Sequence, residues 1–152
     1  MNNFTKDLDQ IDSMKRMGWD EYFLQIASAV SLRADCTRSK VGAVLVDDNH
    51  RIVGTGYNGA PPGAPGCLSG ACPRGKLSYE ELPPESNYGN CIANHAEFNA
   101  VIYALPEERP GSTIYVTRRP CVLCKELLLA EGIVRVVWWS QDNVLCTEPL
   151  FE

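Results

Sequence analysis

His95 and the run Cys121-Val122-Leu123-Cys124 behind Pro120 lie 26 residues apart, and a shared metal ion would force these two stretches to meet at one point. No other feature limits the fold as tightly, because zinc takes nitrogen and sulfur ligands only at about 2.0 to 2.3 Å. Glu97 follows the histidine at an offset of two, which adds a carboxylate to the set. One imidazole and two thiolates leave a fourth position open to water, the mark of a reactive zinc site as opposed to a closed structural one. The chain has only two histidines, so finding one of them beside a carboxylate at this offset is informative. The other, His50, follows Asp47-Asp48-Asn49 between two apolar runs and reads as a solvated turn residue with no role.

The periodicity of the chain shows how the two stretches could meet. Residues 19–34 carry Tyr22, Phe23, Ile26, Ala29 and Val30 at helical spacing, with Asp20 and Glu21 suiting the positive end of the helix. Residues 41–46 and 51–57 read as two strands of a hairpin, the first nearly continuous in apolar residues and therefore buried. A helix over 91–105 ended by Pro106, a strand over 113–117, a helix over 121–131 closed by Gly132 and a strand over 134–139 follow. This order implies a layered α/β sheet, with His95 and both cysteines near the N-termini of neighbouring helices at one sheet edge. On a regular helix an offset of two turns Glu97 about 200° from His95, so the helix must start in a way that lets both border one cavity.

Two stretches fall outside this pattern. Residues 1–15 read as a loose arm, polar and acidic, and residues 58–90 as an irregular insertion punctuated by Pro61-Pro62, Pro65 and Pro83-Pro84. The whole of 1–152 is expected to be a single domain. No run of about 18 apolar residues and no apolar signal-like segment is present, so the expected location is cytoplasmic. Seven cysteines then favour thiolate ligands over disulfides. A net charge of -5 disfavours a polynucleotide substrate, which needs a basic face, and favours a small molecule.

His-x-Glu followed by Pro-Cys-x-x-Cys is the pattern of zinc-dependent base deaminases. Together with Cys36-Thr37-Arg38-Ser39-Lys40-Val41-Gly42-Ala43-Val44, Gly56-Tyr57-Asn58-Gly59-Ala60-Pro61 and Thr117-Arg118-Arg119-Pro120-Cys121, it makes most of the chain resemble the deoxycytidylate deaminase family of the cytidine deaminase superfamily. The resemblance implies a three-layer α/β/α fold with a central mixed sheet. It also implies hydrolytic deamination of a cytosine nucleotide, dCMP to dUMP with release of ammonia, in pyrimidine nucleotide metabolism. His95, Cys121 and Cys124 would hold the catalytic Zn2+ and Glu97 would move the protons. Asn58 and Ala96 would meet the nucleotide, a turn asparagine being the alternative for Asn58, and Arg33, Arg38 and Lys40 are the first candidates for its 5′-phosphate, with Arg118 and Arg119 second.

The same resemblance implies a homo-oligomer, from dimer to hexamer, and control by dCTP and dTTP, with Mg2+ accompanying the regulatory nucleotide. Trp138-Trp139 and Leu127-Leu128-Leu129 offer apolar surface for assembly, with core burial as the commoner fate of such residues. Some relatives from phages carry a second, structural zinc, for which Cys36, Cys67, Cys72 and Cys91 are the candidates here; small buried hydrophobes are the alternative. Phe98 and the long insertion depart from the family pattern. The rival readings are a tRNA adenosine deaminase and a catalytically silent nucleotide-binding module of the same fold.

Overall fold

Strand β1 (Gly42–Val46) is buried at every position, as its unbroken apolar sequence requires of a central strand. Alternate side chains supply two different cores: Ala43 and Leu45 point into one, Val44 and Val46 into the other. The computed structural model describes residues 15–73, 77, 80 and 92–151. Over these, five strands pair in the order β2-β1-β3-β4-β5, with β2 at Ile52–Tyr57, β3 at Thr113–Val116, β4 at Arg135–Trp139 and β5 at Leu145–Pro149. The β3–β4 pair is parallel and the other pairs are antiparallel, which makes the sheet mixed.

Helix α1 (Trp19–Ser31) covers one face, burying Phe23, Leu24 and Ala27 against Val44, Val46, Tyr115, Val137 and Trp139. Helices α2 (Ala96–Ile102) and α3 (Val122–Ala130) cover the other, where Ala96, Ala100, Val101 and Leu128 meet Ala43, Leu45, Ile114, Val116 and Val136. The result is the expected three-layer α/β/α arrangement. On the α2 side the approach is unusually close. A Cβ on Gly56 would lie 2.3 Å from the Ala100 nitrogen and 2.3 Å from the Ala96 oxygen, and one on Gly54 would lie 2.1 Å from the Ala100 oxygen. Two glycines in β2 therefore let α2 rest directly on the strand.

Some boundaries differ from the sequence reading. The helix expected over 91–105 occupies only Ala96–Ile102, because Asn94 forms a β-bridge with Gly59 and His95 stays extended at φ -70°, ψ 156°. Its C-terminal end is capped by Arg109, whose guanidinium donates to the Ala104 carbonyl at 3.0 Å, and Pro106 opens a separate 3-10 turn. Strand β5 has no counterpart in the sequence reading. Between β2 and α2 the described residues are irregular except for a 3-10 turn at Cys67–Ser69; the proposed arm lies outside the described residues apart from Lys15. Leu128 and Trp139 belong to the core and not to an assembly surface; the exposed apolar side chains include Ile102, Tyr103, Leu105, Val122 and Leu123. His50 is solvent-exposed as expected, yet its ring stacks on Trp19 with centroids 4.1 Å apart.

Candidate active site

The parallel pair β3 and β4 with its crossover helix places the start of α3 at the same sheet edge as the start of α2. Cys121 is the N-cap of α3, extended at φ -72°, ψ 169°, and its sulfur accepts from the Cys124 N–H at 3.5 Å. His95 is the N-cap of α2. Its Nδ1 lies 3.2 Å from Cys124 Sγ and 3.6 Å from Cys121 Sγ, and the three donor atoms all lie within 4.8 Å of one another. Tetrahedral zinc with bonds of about 2.0 Å to nitrogen and about 2.3 Å to sulfur separates such atoms by roughly 3.6 Å. The donor set therefore fits zinc in both chemistry and spacing.

Glu97 is buried at 4% exposure and faces Cys124. Because His95 stands outside the helix in extended conformation, the 200° rule of a regular helix does not separate them. Burial pushes the Cys124 thiol up, and the Glu97 charge and the Cys121 sulfur push it further in the same direction. Two sulfurs and a carboxylate converging in a desolvated pocket call for a cationic partner, which a divalent metal supplies.

Asn58 is also buried, and its side chain holds the segment that leads into β1: Oδ1 accepts from Val41 N–H at 2.8 Å and Nδ2 donates to the Ser39 carbonyl at 2.8 Å. Ala96 is buried at the first turn of α2. Arg33 is exposed just beyond α1, and the Arg38 guanidinium donates to the Leu77 carbonyl in the insertion. Phe98 is partly exposed at 36%. Among the described residues Cys36, Cys67 and Cys72 do not form a second metal-holding group, and Cys91 lies outside them. Cys67 Sγ accepts from Thr37 N–H at 3.3 Å and Cys36 Sγ from Arg38 N–H at 3.4 Å. Three residues of the quoted motif runs received no role from sequence: Gly56, which lets α2 descend onto β2, and Ser39 and Thr117, which join the loops around the site. A glycine inside a strand pattern was the available signal for the first; the others stood in motif runs without any local sign of the bonds they make.

An α/β/α sandwich that presents an imidazole, two thiols and a buried carboxylate at two adjacent helix N-termini belongs to the class of metal-dependent hydrolytic enzymes. Residues 17–140 match the model of the cytidine and deoxycytidylate deaminase zinc-binding region. The chain belongs to the cytidine and deoxycytidylate deaminase family. It is 54% identical over 129 residues to the deoxycytidylate deaminase of Mycobacterium phage D29, covering 82% of this chain and 97% of that one. It is 38% identical over 131 residues to the deoxycytidylate deaminase of Schizosaccharomyces pombe, covering 85% of this chain and 39% of that longer protein. The crystal structure of dCMP deaminase from cyanophage S-TIM5 in complex with dCMP and dUMP is similar in fold, with a TM-score of 0.62 and 26% identity, over 82% of this chain and 85% of that one. Among the described residues no helix is long and apolar enough to cross a membrane.

Proposed function

We propose that this protein deaminates dCMP to dUMP with release of ammonia, in pyrimidine nucleotide metabolism in the cytoplasm. The observation that carries the reading is the convergence of His95, Cys121 and Cys124 beside the buried Glu97, in a chain 54% identical to a phage deoxycytidylate deaminase. His95, Cys121 and Cys124 hold the zinc. When bound, the ion supplies Lewis acidity and an acidified water. Glu97, buried in the first turn of α2, would serve as the proton carrier, taking a proton from the attacking water, delivering it to the ring nitrogen and assisting the departing ammonia. Burial keeps this carboxylate away from bulk water, so its proton stays in the pocket between steps.

Asn58 and Ala96 border the nucleotide, and the rim cations, with Arg33 and Arg38 the first candidates from sequence, supply charge for its 5′-phosphate. The exposed apolar residues Ile102, Tyr103, Leu105, Val122 and Leu123 are the surface on which a homo-oligomer forms. Regulation by a nucleotide carrying Mg2+ belongs to the same reading and is supported by the family resemblance. So does a structural zinc on Cys36, Cys67, Cys72 and Cys91; metal analysis finding one zinc per chain removes it.

Ammonia release measured with dCMP, CMP, deoxycytidine, cytosine and an RNA stem-loop tests the function. Turnover is expected to be fastest with dCMP. Preference for the stem-loop would establish the polynucleotide reading, and inactivity on all five with zinc bound would establish a silent module.

A further inference from the structure

A side chain from outside the insertion holds its first turn in place. Gly66 precedes the 3-10 turn at Cys67–Ser69, and its backbone at φ -99°, ψ 178° is open to any residue. Conformation therefore does not account for the glycine; space does. A Cβ there would lie 1.5 Å from Asp35 Oδ2 and 2.4 Å from Asp35 Cγ, so the carboxyl group fills the room that a side chain would need. Asp35 Oδ1 accepts from Leu68 N–H at 2.7 Å, and Thr37 N–H adds a second contact to the turn at Cys67 Sγ, at 3.3 Å. Ala71 N–H and Ser69 Oγ both donate to the Gly66 carbonyl, which closes the turn on itself and lets it dock as one unit.

The main chain of the same residue is tied to the reactive pocket. Asp35 N–H donates to the Asn58 carbonyl at 2.9 Å, and a Cβ on Gly59 would lie 3.4 Å from Asp35 Cβ, so the two loops pack together. Gly59 in turn pairs with Asn94 in an isolated bridge, through bonds of 3.1 and 2.8 Å. The next residue is His95, whose extended backbone ahead of α2 lets the imidazole and Glu97 share a cavity. A contiguous set of bonds thus runs from the insertion through Asp35 and Asn58-Gly59 to a metal ligand, the kind of network that can carry coupling between two places. Residues that orient a metal ligand by touching it typically matter by about 10- to 100-fold in metal affinity. Asp35 stands further back, and solvent reaches its bond to Leu68, so its effect is expected to be smaller.

We propose that Asp35 is a positioning residue that couples the insertion to the metal ligand His95: its carboxylate anchors the turn at Cys67–Ser69, and the anchored turn keeps Asn58, Gly59 and Asn94 in register with His95. The inference rests on the zinc site of the function proposed above and makes that site depend on the insertion. The dissociation constant for zinc, by competition with a chromogenic chelator, and kcat for dCMP at saturating zinc are measured on the full chain and its Asp35→Ala, Asp35→Asn, Gly66→Ala and Asp35→Ala/Gly66→Ala variants, each below its melting temperature. Asp35→Ala is expected to weaken zinc binding by about 3- to 10-fold and to lower kcat by a similar factor. Asp35→Asn keeps an oxygen for Leu68 N–H and stays within about twofold of wild type. Gly66→Ala, whose methyl displaces the carboxylate, reproduces the Asp35→Ala loss. The double variant is no worse than Asp35→Ala alone, because the methyl then meets no carboxyl group.

Zinc affinity and kcat unchanged in Asp35→Ala and Gly66→Ala overturn the proposal, and so does a fall in melting temperature with zinc affinity intact, which would make Asp35 a support of the fold alone. Additive losses in the double variant overturn it as well, since the two positions would then act separately. Should Asp35→Ala not fold, Gly66→Ala decides on the same terms. A wild-type chain that binds no zinc brings down the underlying reading; a wild type that binds zinc, with variants that bind it equally well, brings down the coupling alone.

Discussion

The two faces of the central sheet are built on opposite principles. On the α1 face, large side chains interlock: Phe23, Leu24, Tyr115 and Trp139 fill the space, and the polar group that most shapes it is a rim network. There Arg135 grips Asp20 with two bonds of 2.9 Å while the Tyr115 hydroxyl donates to Asp20 at 2.8 Å. On the α2 and α3 face small residues predominate along the helix contact, with Gly54, Gly56, Ala96 and Ala100 bringing backbone against backbone. That face buries a carboxylate and a thiol, Glu97 and Cys124, at the helix starts. One face fills its space with large side chains; the other brings backbone against backbone and gathers the reactive atoms at its helix starts.

Substitutions that separate stability from turnover test this contrast. The largest effect is expected from Glu97→Gln, which keeps shape and zinc content, lowers kcat by about a thousandfold or more and leaves the melting temperature unchanged or higher. Retained turnover in the zinc-loaded variant would place the proton carrier elsewhere. Next is Gly56→Ala. Its Cβ cannot fit at 2.3 Å from two α2 backbone atoms, so α2 must lift, with a loss of about 3 kcal/mol in chemical denaturation and a weakened hold on zinc. Normal stability with full zinc occupancy would show that the close approach is dispensable.

The smallest effect belongs to the α1 face. Asp20→Asn is expected to cost about 1 kcal/mol at neutral pH, since the pair is partly exposed, with kcat and KM unchanged. The Arg135 guanidinium, helped by the Tyr115 hydroxyl, holds the Asp20 carboxyl below its ordinary value against the opposing effect of burial. A carboxyl whose folded pKa is depressed contributes stability above its unfolded pKa of about 3.9 and loses it as pH falls through the folded value. Denaturation of wild type and variant at a series of pH values should therefore show a gap that is full above about pH 5 and closes toward acid. A gap independent of pH would mean that packing and not charge is lost. A matching fall in kcat would contradict the division between the faces.

The same contrast accounts for what could be read from sequence. The helix of the α1 face was legible from its apolar spacing, and β1 from its unbroken apolar run, but the buried stripe runs through Phe23, Leu24 and Ala27 where the spacing had pointed to Tyr22, Phe23, Ile26, Ala29 and Val30; of these only Phe23 is buried, because apolar residues ring most of this helix and the sheet selects the face. His95, Glu97, Cys121 and Cys124 were legible because their chemistry needs particular residue types at fixed offsets. The start of α2 was not, since the bridge between Asn94 and Gly59 is a tertiary contact that no local preference announces. Strand β5 went unseen because an edge strand of Leu145-Cys146-Thr147-Glu148-Pro149, only partly buried and ending in proline, carries neither alternation nor an apolar run. Asp35 and Leu68 sit 33 residues apart, so their link could not be read from either segment alone.

On the proposed function the reactive face works through a metal held by His95, Cys121 and Cys124. Its most direct test is ammonia release from dCMP by protein stripped of metal with a chelator and then titrated with zinc. No turnover in the stripped protein, and recovery that rises in proportion to the zinc bound at this triad, is the predicted result. Full turnover by protein shown by metal analysis to hold none would contradict it.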